Sequence, residues 1–438
     1  MIMRYLNAII LALLVAFPIH AQSLKDIYSL AKQNDLVIKP QETQSKLAEL
    51  NISLARASLL PQVDASASYN QSYDRQEVQE LGGFGQILQT TSYQKSTSKG
   101  IGLNVGLSMP IYNHAQWLNL DIAEKQAVQA LLAYSAAEQQ LTQRVINQYL
   151  MVTKAQDLYE LLDDQSHKLK LLMDRVSDSN SKAYLDLMGR YTEISAQKVS
   201  QRAAWQANLA QLSILTGEVH QSIQPLDTSQ IYSSEMDLSL EQAQLLAQQE
   251  NREYIARKML VDIAKEQIEI ATAAHLPSIS GGIFWSHAQD LDSELSNIGV
   301  FGNVGVSLPI YTGGAISTSV EIAKQGYIGA SDQLALAFRQ LISETTIVYD
   351  AVNANAGVIP VYKDSVDIAK RAFEATLSAV KTGSRNSTDV VNKLDIYYQN
   401  QAQLLSSQYD YLTASITLRL LMGSLSEQDV LDIDSSLR

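Results

Sequence analysis

The stretch Asn104-Val-Gly-Leu-Ser-Met-Pro-Ile-Tyr112 returns 199 positions later as Asn303-Val-Gly-Val-Ser-Leu-Pro-Ile-Tyr311. In the first copy Val105, Leu107 and Met109 alternate with Asn104, Gly106 and Ser108. A period of two describes a β-strand with one oily face and one small or polar face. The same alternation precedes it, with Val63, Ala65, Ala67, Tyr69 and Tyr73 opposing Asp64, Ser66, Ser68, Asn70 and Ser72. In the second copy Ile279, Ile283 and Trp285 form the corresponding oily set, followed by Val304, Val306 and Leu308.

The repetition extends outward from these strands. Upstream, at a separation of 216, Ser23, Leu24, Ala31, Leu60 and Pro61 fall on Ser239, Leu240, Ala247, Leu276 and Pro277. Downstream, at 206, Ser181, Tyr191, Leu212 and Gly217 fall on Ser387, Tyr397, Leu418 and Gly423. The chain is therefore two copies of one long unit, longer than solenoid repeats and expected to form a pseudo-symmetric pair. This divides it into a leader at 1–21, a first repeat at 22–217, a linker or equatorial region at 218–238, and a second repeat with a C-terminal tail at 239–438.

Each copy reads helix, strand, loop, strand, very long helix, turn, helix. The first helix of each opens on a capping box, Ser23 with Asp26 and Ser239 with Gln242. Both are expected to run on and stop before Pro61 and Pro277, because proline disfavours the helical conformation of its predecessor. The strands are about ten residues long, the length a tilted strand needs to cross a bilayer. A 20-residue surface loop joins the first pair. Strand pattern alone fits an antiparallel sheet of a soluble protein equally well.

Between Tyr112 and Gly189 there is neither Gly nor Pro, and Ala, Gln, Leu, Glu and Lys dominate. Good helix formers over that span predict a rod from Asn113 to Val176, near 95 Å long at about 1.5 Å per residue. A second rod, from about Ala315 to Val380, carries Gly357 and Pro360, where a kink or local unwinding is expected. Turns at Ser177–Lys182 and Lys381–Thr388 reverse the chain, and Gly217 and Gly423 read as helix C-caps.

Residues 1–21 hold Arg4, the ten-residue apolar run Ala8–Phe17 and no acidic residue. That run is half of what a membrane helix needs, so a cleaved secretory signal is expected, ending after Ala21. The chain contains no cysteine, which excludes disulfides and thiolate metal sites and suits a bacterial envelope protein. A formal net charge of −13 disfavours nucleic acid as a partner. No apolar run of 18 residues follows the leader, so any crossing of a membrane falls to strands.

Chemistry is not written into the chain. Six histidines stand singly, no metal-ligand or nucleophile motif is present, and Gly100, Gly102 and Gly106 lie in an alternating strand where a phosphate-binding loop would be irregular. The expectation is no enzyme activity, no metal and no cofactor. Four strands per chain carry the stronger inference. A membrane sheet must close, and barrels use eight or more strands, so several copies must each give four strands and continue the barrel with their rods.

The Leu-Pro strand starts, the twice-seen Pro-Ile-Tyr corner, the duplicated unit and the segment Lys381-Thr-Gly-Ser-Arg-Asn-Ser-Thr-Asp-Val-Val391 resemble the TolC family of outer-membrane efflux and secretion ducts. The resemblance covers essentially the whole mature chain. It implies a mainly α fold with a membrane β-barrel: a homotrimer whose 12-stranded barrel sits among the lipids of the bacterial outer membrane and continues as a 12-helix barrel into the periplasm. It implies docking to a periplasmic adaptor protein and an inner-membrane ABC or RND-type transporter. By the same resemblance Asp389 matches a pore-constricting acidic ring, with Asn392 one turn later where a second acid is common. Gly383 and Arg385 match the periplasmic tip and gate, together with Ser387, the N-cap candidate. The first tip, Asp178–Lys182, lacks the usual glycine.

The segments Tyr-Asp-Tyr-Leu at 409–412 and Met-Gly-Ser-Leu at 422–425 look more like the type I protein-secretion branch. A multidrug or small-molecule efflux duct of the same family is the alternative. From another class, a periplasmic coiled-coil adaptor or scaffold would combine long helices with a small soluble sheet, but it predicts heptads with charged flanks and a lipid or helical anchor, and the alternating ten-residue strands beside a 20-residue surface loop count against it. A diffusion porin would spend most of its length on strands.

Overall fold

A computed structural model describes residues 22–80, 90–176, 178–227, 238–293, 295–381, 387–435 and 437. The leader, 1–21, lies outside the described residues, as do 228–237 of the linker. The elements, in order, are α1 (Leu24–Asn34), α2 (Ile38–Ala57), β1 (Gln62–Glu80), β2 (Thr90–Tyr112), α3 (His114–Met173) and α4 (Lys182–Thr216), then α5 (Leu240–Glu250), α6 (Arg252–Ala273), β3 (Ser278–Asp290), β4 (Ser296–Ser307), α7 (Ala315–Lys381), α8 (Ser387–Leu421) and α9 (Glu427–Asp434). They form two compact units, a sheet unit of residues 45–129 and 258–333 and a helical unit made of the remainder.

In the sheet unit the four strands are antiparallel in the order β1-β2-β3-β4. Val63, Val105, Trp285 and Val300 share one face with the other oily positions, while Asp64, Gly106, Phe284 and Phe301 lie on the opposite face. Small residues let that second face close up: a Cβ at Gly102 would come within 2.8 Å of the Ser68 hydroxyl. Among the described residues nothing covers the oily face, with Val63 at 72% and Val304 at 71% exposure. β1 and β4 each have a partner on one side only, which leaves two open edges.

The first hairpin corrects an expectation. β1 and β2 are 19 and 23 residues long and pair as far as Glu80 with Thr90, so most of the expected 20-residue loop is strand. Beyond Tyr73 the oily alternation lapses, which removed the period-two signal, but Thr90, Thr91, Tyr93 and Thr97 still favour extended backbone. The Pro-Ile-Tyr corners also differ. The first stays within β2, with its register shifting between Pro110 and Tyr112 against β3. The second lies beyond the end of β4, where an edge strand has no second neighbour to hold it, and Gly313 and Gly314 follow with φ of 63° and 85°.

In the helical unit both capping boxes form, Ser23 with Asp26 and Ser239 with Gln242. The single helix expected after each is broken in two. Asp35 ends α1 in extended conformation, and its carboxylate accepts from the Val37 and Ile38 amides at 2.8 and 2.9 Å, so it caps α2. Asn251, its counterpart 216 positions on, does the same between α5 and α6, accepting from the Tyr254 amide at 2.9 Å. Asp and Asn compete with the helical backbone for its own hydrogen bonds, and here that competition wins.

Gly217 and Gly423 end α4 and α8 with φ of 73° and 72°, as the C-cap reading requires. No unwinding occurs at Gly357 and Pro360. α7 is helical throughout, with Pro360 inside it, because one missing backbone hydrogen bond is outweighed by the buried flanking residues Val352, Ala356 and Ile359. The core of the unit gathers Leu24 and Ile27 of α1, Val145, Ile146 and Tyr149 of α3, Leu212 of α4 and Val430 of α9. α9 is clasped onto α1 by Lys32 with Glu427 and by the Lys25 amide donating to Asp434 at 3.0 Å.

Candidate pore constriction and helix ties

Val391, Leu394 and Tyr398 recur at three and four residues along α8 and bury one stripe of it against Leu169 of α3 and Leu187 and Ile194 of α4. At 100° per residue, Asp389 and Asn392 fall on the opposite face of α8, three residues apart and therefore neighbours. Asn392 is exposed and Asp389 half-buried, in the first turn of the helix. Ile396, Gln399 and Gln403 continue the same exposed face. α8 begins at Ser387 itself, one residue earlier than an N-cap role for Ser387 would require. Gly383 and Arg385 lie outside the described residues.

The buried side of α8 carries a ladder of polar ties. Thr388 donates to Asp186 of α4 at 2.7 Å. Asp395 is held at 2.8 Å by Arg190 of α4 and at 3.0 Å by Gln165 of α3. Tyr398 donates to Asp164 of α3, which also takes Lys168 at 2.9 Å. Further along, buried Tyr409 donates to Asp157 at 2.7 Å, and Lys154 meets Asp410 at 2.8 Å. Partial burial works to raise the Asp164 carboxyl, but the hydrogen bonds from Tyr398 and Lys168 outweigh it and hold the group below the usual carboxylate range. Burial, then the Asp164 carboxylate, push the Tyr398 phenol well above its ordinary value.

None of these ties was singled out in the sequence, though a signal exists. Asp157 and Asp164 stand seven apart, a spacing that puts both on the side of α3 that meets α8, Asp157 buried in the seam and Asp164 more than half exposed at its edge. A carboxylate in such a seam demands a donor from the facing helix. Tyr398 and Tyr409, eleven residues apart on one side of α8, are those donors.

Among the described residues no group of three or more side chains is arranged to hold a metal ion, and no helix is long and apolar enough to cross a membrane.

A family model described as outer membrane efflux protein matches residues 27–169 and 245–424 of this chain. The chain is 28% identical to outer membrane protein TolC of Vibrio cholerae over 436 residues, covering 95% of this chain and 94% of that one. It is 23% identical to the proteases secretion protein PrtF of Dickeya chrysanthemi, covering 94% and 90%. Among solved structures it superposes on the Campylobacter jejuni CmeC outer membrane channel with a TM-score of 0.75 at 16% identity, over 95% and 90% of the two chains.

Proposed function

The chain belongs to the outer membrane efflux protein family, and on that premise we propose that it is the exit duct of a tripartite export system. It is an outer-membrane transport channel and not an enzyme. In our reading three chains pair β4 of one with β1 of the next, giving a closed 12-stranded barrel with the oily face to lipid and the small, polar face to the lumen. The observation that carries this is the four-stranded sheet with two open edges and an oily face left bare among the described residues. Open edges and exposed oily faces are costly alone and are satisfied together by closure in a bilayer.

The helical unit then forms the periplasmic extension, which meets an adaptor protein and an inner-membrane transporter that supplies the energy. The face of α8 bearing Asp389 and Asn392 lines the pore, with the tip residues Gly383, Arg385 and Ser387 beside it. The ties to Asp164, Asp157 and Asp395 hold α8 in register with its neighbours. The leader at 1–21, the two repeats and the region between them remain our division of the chain.

For cargo, we favour type I protein secretion, supported by the 409–412 and 422–425 segments and by similarity to a protease secretion protein. Small-molecule efflux is the second reading, supported by the likeness to an outer membrane protein TolC and by the family description. The test of the duct is direct. The purified chain should partition with outer membranes, need detergent, migrate as a trimer and conduct ions in planar bilayers. A monomer released by osmotic shock, with no conductance, refutes the proposal.

A further inference from the structure

On the small-residue face of the sheet one pair of side chains is out of keeping. Phe284 of β3 and Phe301 of β4 are directly paired across the strands and stack with ring centroids 5.3 Å apart and planes 22° apart. Their neighbours on that face are Ser, Asn, Gly and Ala. Phe284 lies flat over glycines: a Cβ at Gly106 or Gly282 would come within 2.8 or 2.6 Å of its ring. Covering a glycine floor accounts for Phe284. It does not account for Phe301, which remains 55% exposed.

The second observation is a charge. The same Cβ position at Gly106 lies 3.1 Å from Oδ1 of Asp64, so the carboxylate stands across Gly106 from the Phe284 ring. From Asp64 to Ser68 and across the strands paired with that stretch, Asp64 is the one charged residue on this face among the described residues; the next, Asp290, stands six residues along β3 from Phe284. Stacked rings offer negative π faces and the carboxylate a full negative charge, and that stretch of the face carries no basic residue among the described residues. The ligand complementary to that corner is a cation that also carries apolar or aromatic surface.

We propose that Phe284, Phe301 and Asp64 form a binding site for a hydrophobic organic cation, repeated in each protomer. The site faces the lumen if the small-residue face does, so its effect on current rests on the duct reading given above. An organic cation lodged there narrows the path and adds fixed positive charge, and it lowers the conductance of the open barrel.

The experiment uses tetraphenylphosphonium and, as a control of the same shape and opposite charge, tetraphenylborate, on the purified protein in planar bilayers. The cation should reduce the current in a saturable way and the anion should not. Phe301→Leu and Phe284→Leu keep apolar cover over the glycines but remove the π faces, and each should weaken block by about two- to five-fold. Asp64→Asn should narrow the preference for cation over anion, leaving the part the rings supply. Each variant is first shown to migrate as the wild-type oligomer.

A conducting wild type that is not blocked, is blocked equally by both ions, or is blocked equally in the Phe→Leu variants overturns the site and leaves the duct standing. Failure to conduct at all counts against the duct instead. In that case the site is read by fluorescence polarisation of rhodamine 6G with the detergent-solubilised chain. Binding unchanged by Phe301→Leu and Asp64→Asn overturns it.

Discussion

Asp35 and Asn251 stand 216 residues apart and occupy the same joint in the two copies, each closing one helix and capping the next. Each also ties the joint to a distant helix. Asp35 accepts from the Arg144 guanidinium of α3 at 3.1 and 3.3 Å, while Asn251 donates to the Leu421 carbonyl of α8 at 3.0 Å. The acid serves where a cation faces it, and the amide serves where a carbonyl does.

Asp35→Ala removes a cap and leaves Arg144, about two-thirds buried at its side chain, without its carboxylate. We expect a loss of about 2 kcal/mol in unfolding free energy, and about 1 kcal/mol for Asn251→Ala. Asp35→Asn keeps the cap and should fall between wild type and Asp35→Ala. Denaturant unfolding followed by circular dichroism decides the order.

The two C-capping glycines are not equivalent. Both have positive φ, which costs an L-residue about 1 kcal/mol. A Cβ at Gly217 would meet Asn34 at an ordinary 3.4 Å, whereas one at Gly423 would run into the Glu250 carbonyl, which is backbone and cannot swing aside. Gly423→Ala should therefore lower the thermal midpoint distinctly more than Gly217→Ala. Equal shifts would mean that the α5–α6 joint moves freely.

Tyr409→Phe deletes a buried hydrogen bond to Asp157 with little change of shape. The expected cost is about 1–3 kcal/mol, the range for a buried acceptor deprived of a donor. Removing both partners, as in Tyr409→Phe with Asp157→Leu, should cost less than the sum of the single changes. A double-mutant cycle on thermal unfolding measures the difference.

These comparisons show what was legible in the chain. Caps, C-capping glycines and oily strand faces are local, and Ser23, Ser239, Gly217, Gly423 and the alternation from Val63 announce themselves within a few residues. The ladder on α8 was illegible because each rung joins residues far apart, Asp164 to Tyr398 and Asp157 to Tyr409, and nothing local selects the partner. The joint at Asp35 was missed for a related reason: its neighbours Leu36, Val37 and Ile38 carry no glycine or proline, and the break arises from a side chain replacing the backbone as acceptor. Pro360 shows the converse for one of the two outcomes expected there: the helix does not unwind, because packing around Val352, Ala356 and Ile359 holds it.

His220 gives the linker a dependence on pH. The ring is 6% exposed, with Thr216 Oγ1 at 2.5 Å from Nε2 and Gln22 against Nδ1. Burial, opposed by nearby Glu218, holds it below its ordinary value of 6.5. The unfolded chain therefore takes up the proton first as pH falls. The neutral ring's contribution is complete above 6.5 and is lost as pH drops from there through the folded-state value. The wild-type thermal midpoint should fall between about pH 7 and about pH 5 more steeply than that of His220→Gln.

Asp389 tests the pore assignment. If three copies converge, their carboxylates form an anionic ring that multivalent cations occupy. Asp389→Ala should weaken block of single-channel current by such cations, while Asn392→Ala should leave it unchanged. Equal block in wild type and Asp389→Ala removes the residue from the constriction.

The two hairpins of the sheet are unequal, with strands of 19 and 23 residues in the first and 13 and 12 in the second. In the proposed trimer they alternate around the threefold axis, so the mouth of the barrel is crenellated, with three tall turrets between three low gaps. On that reading, any large body that approaches this mouth meets the turrets before it reaches the gaps.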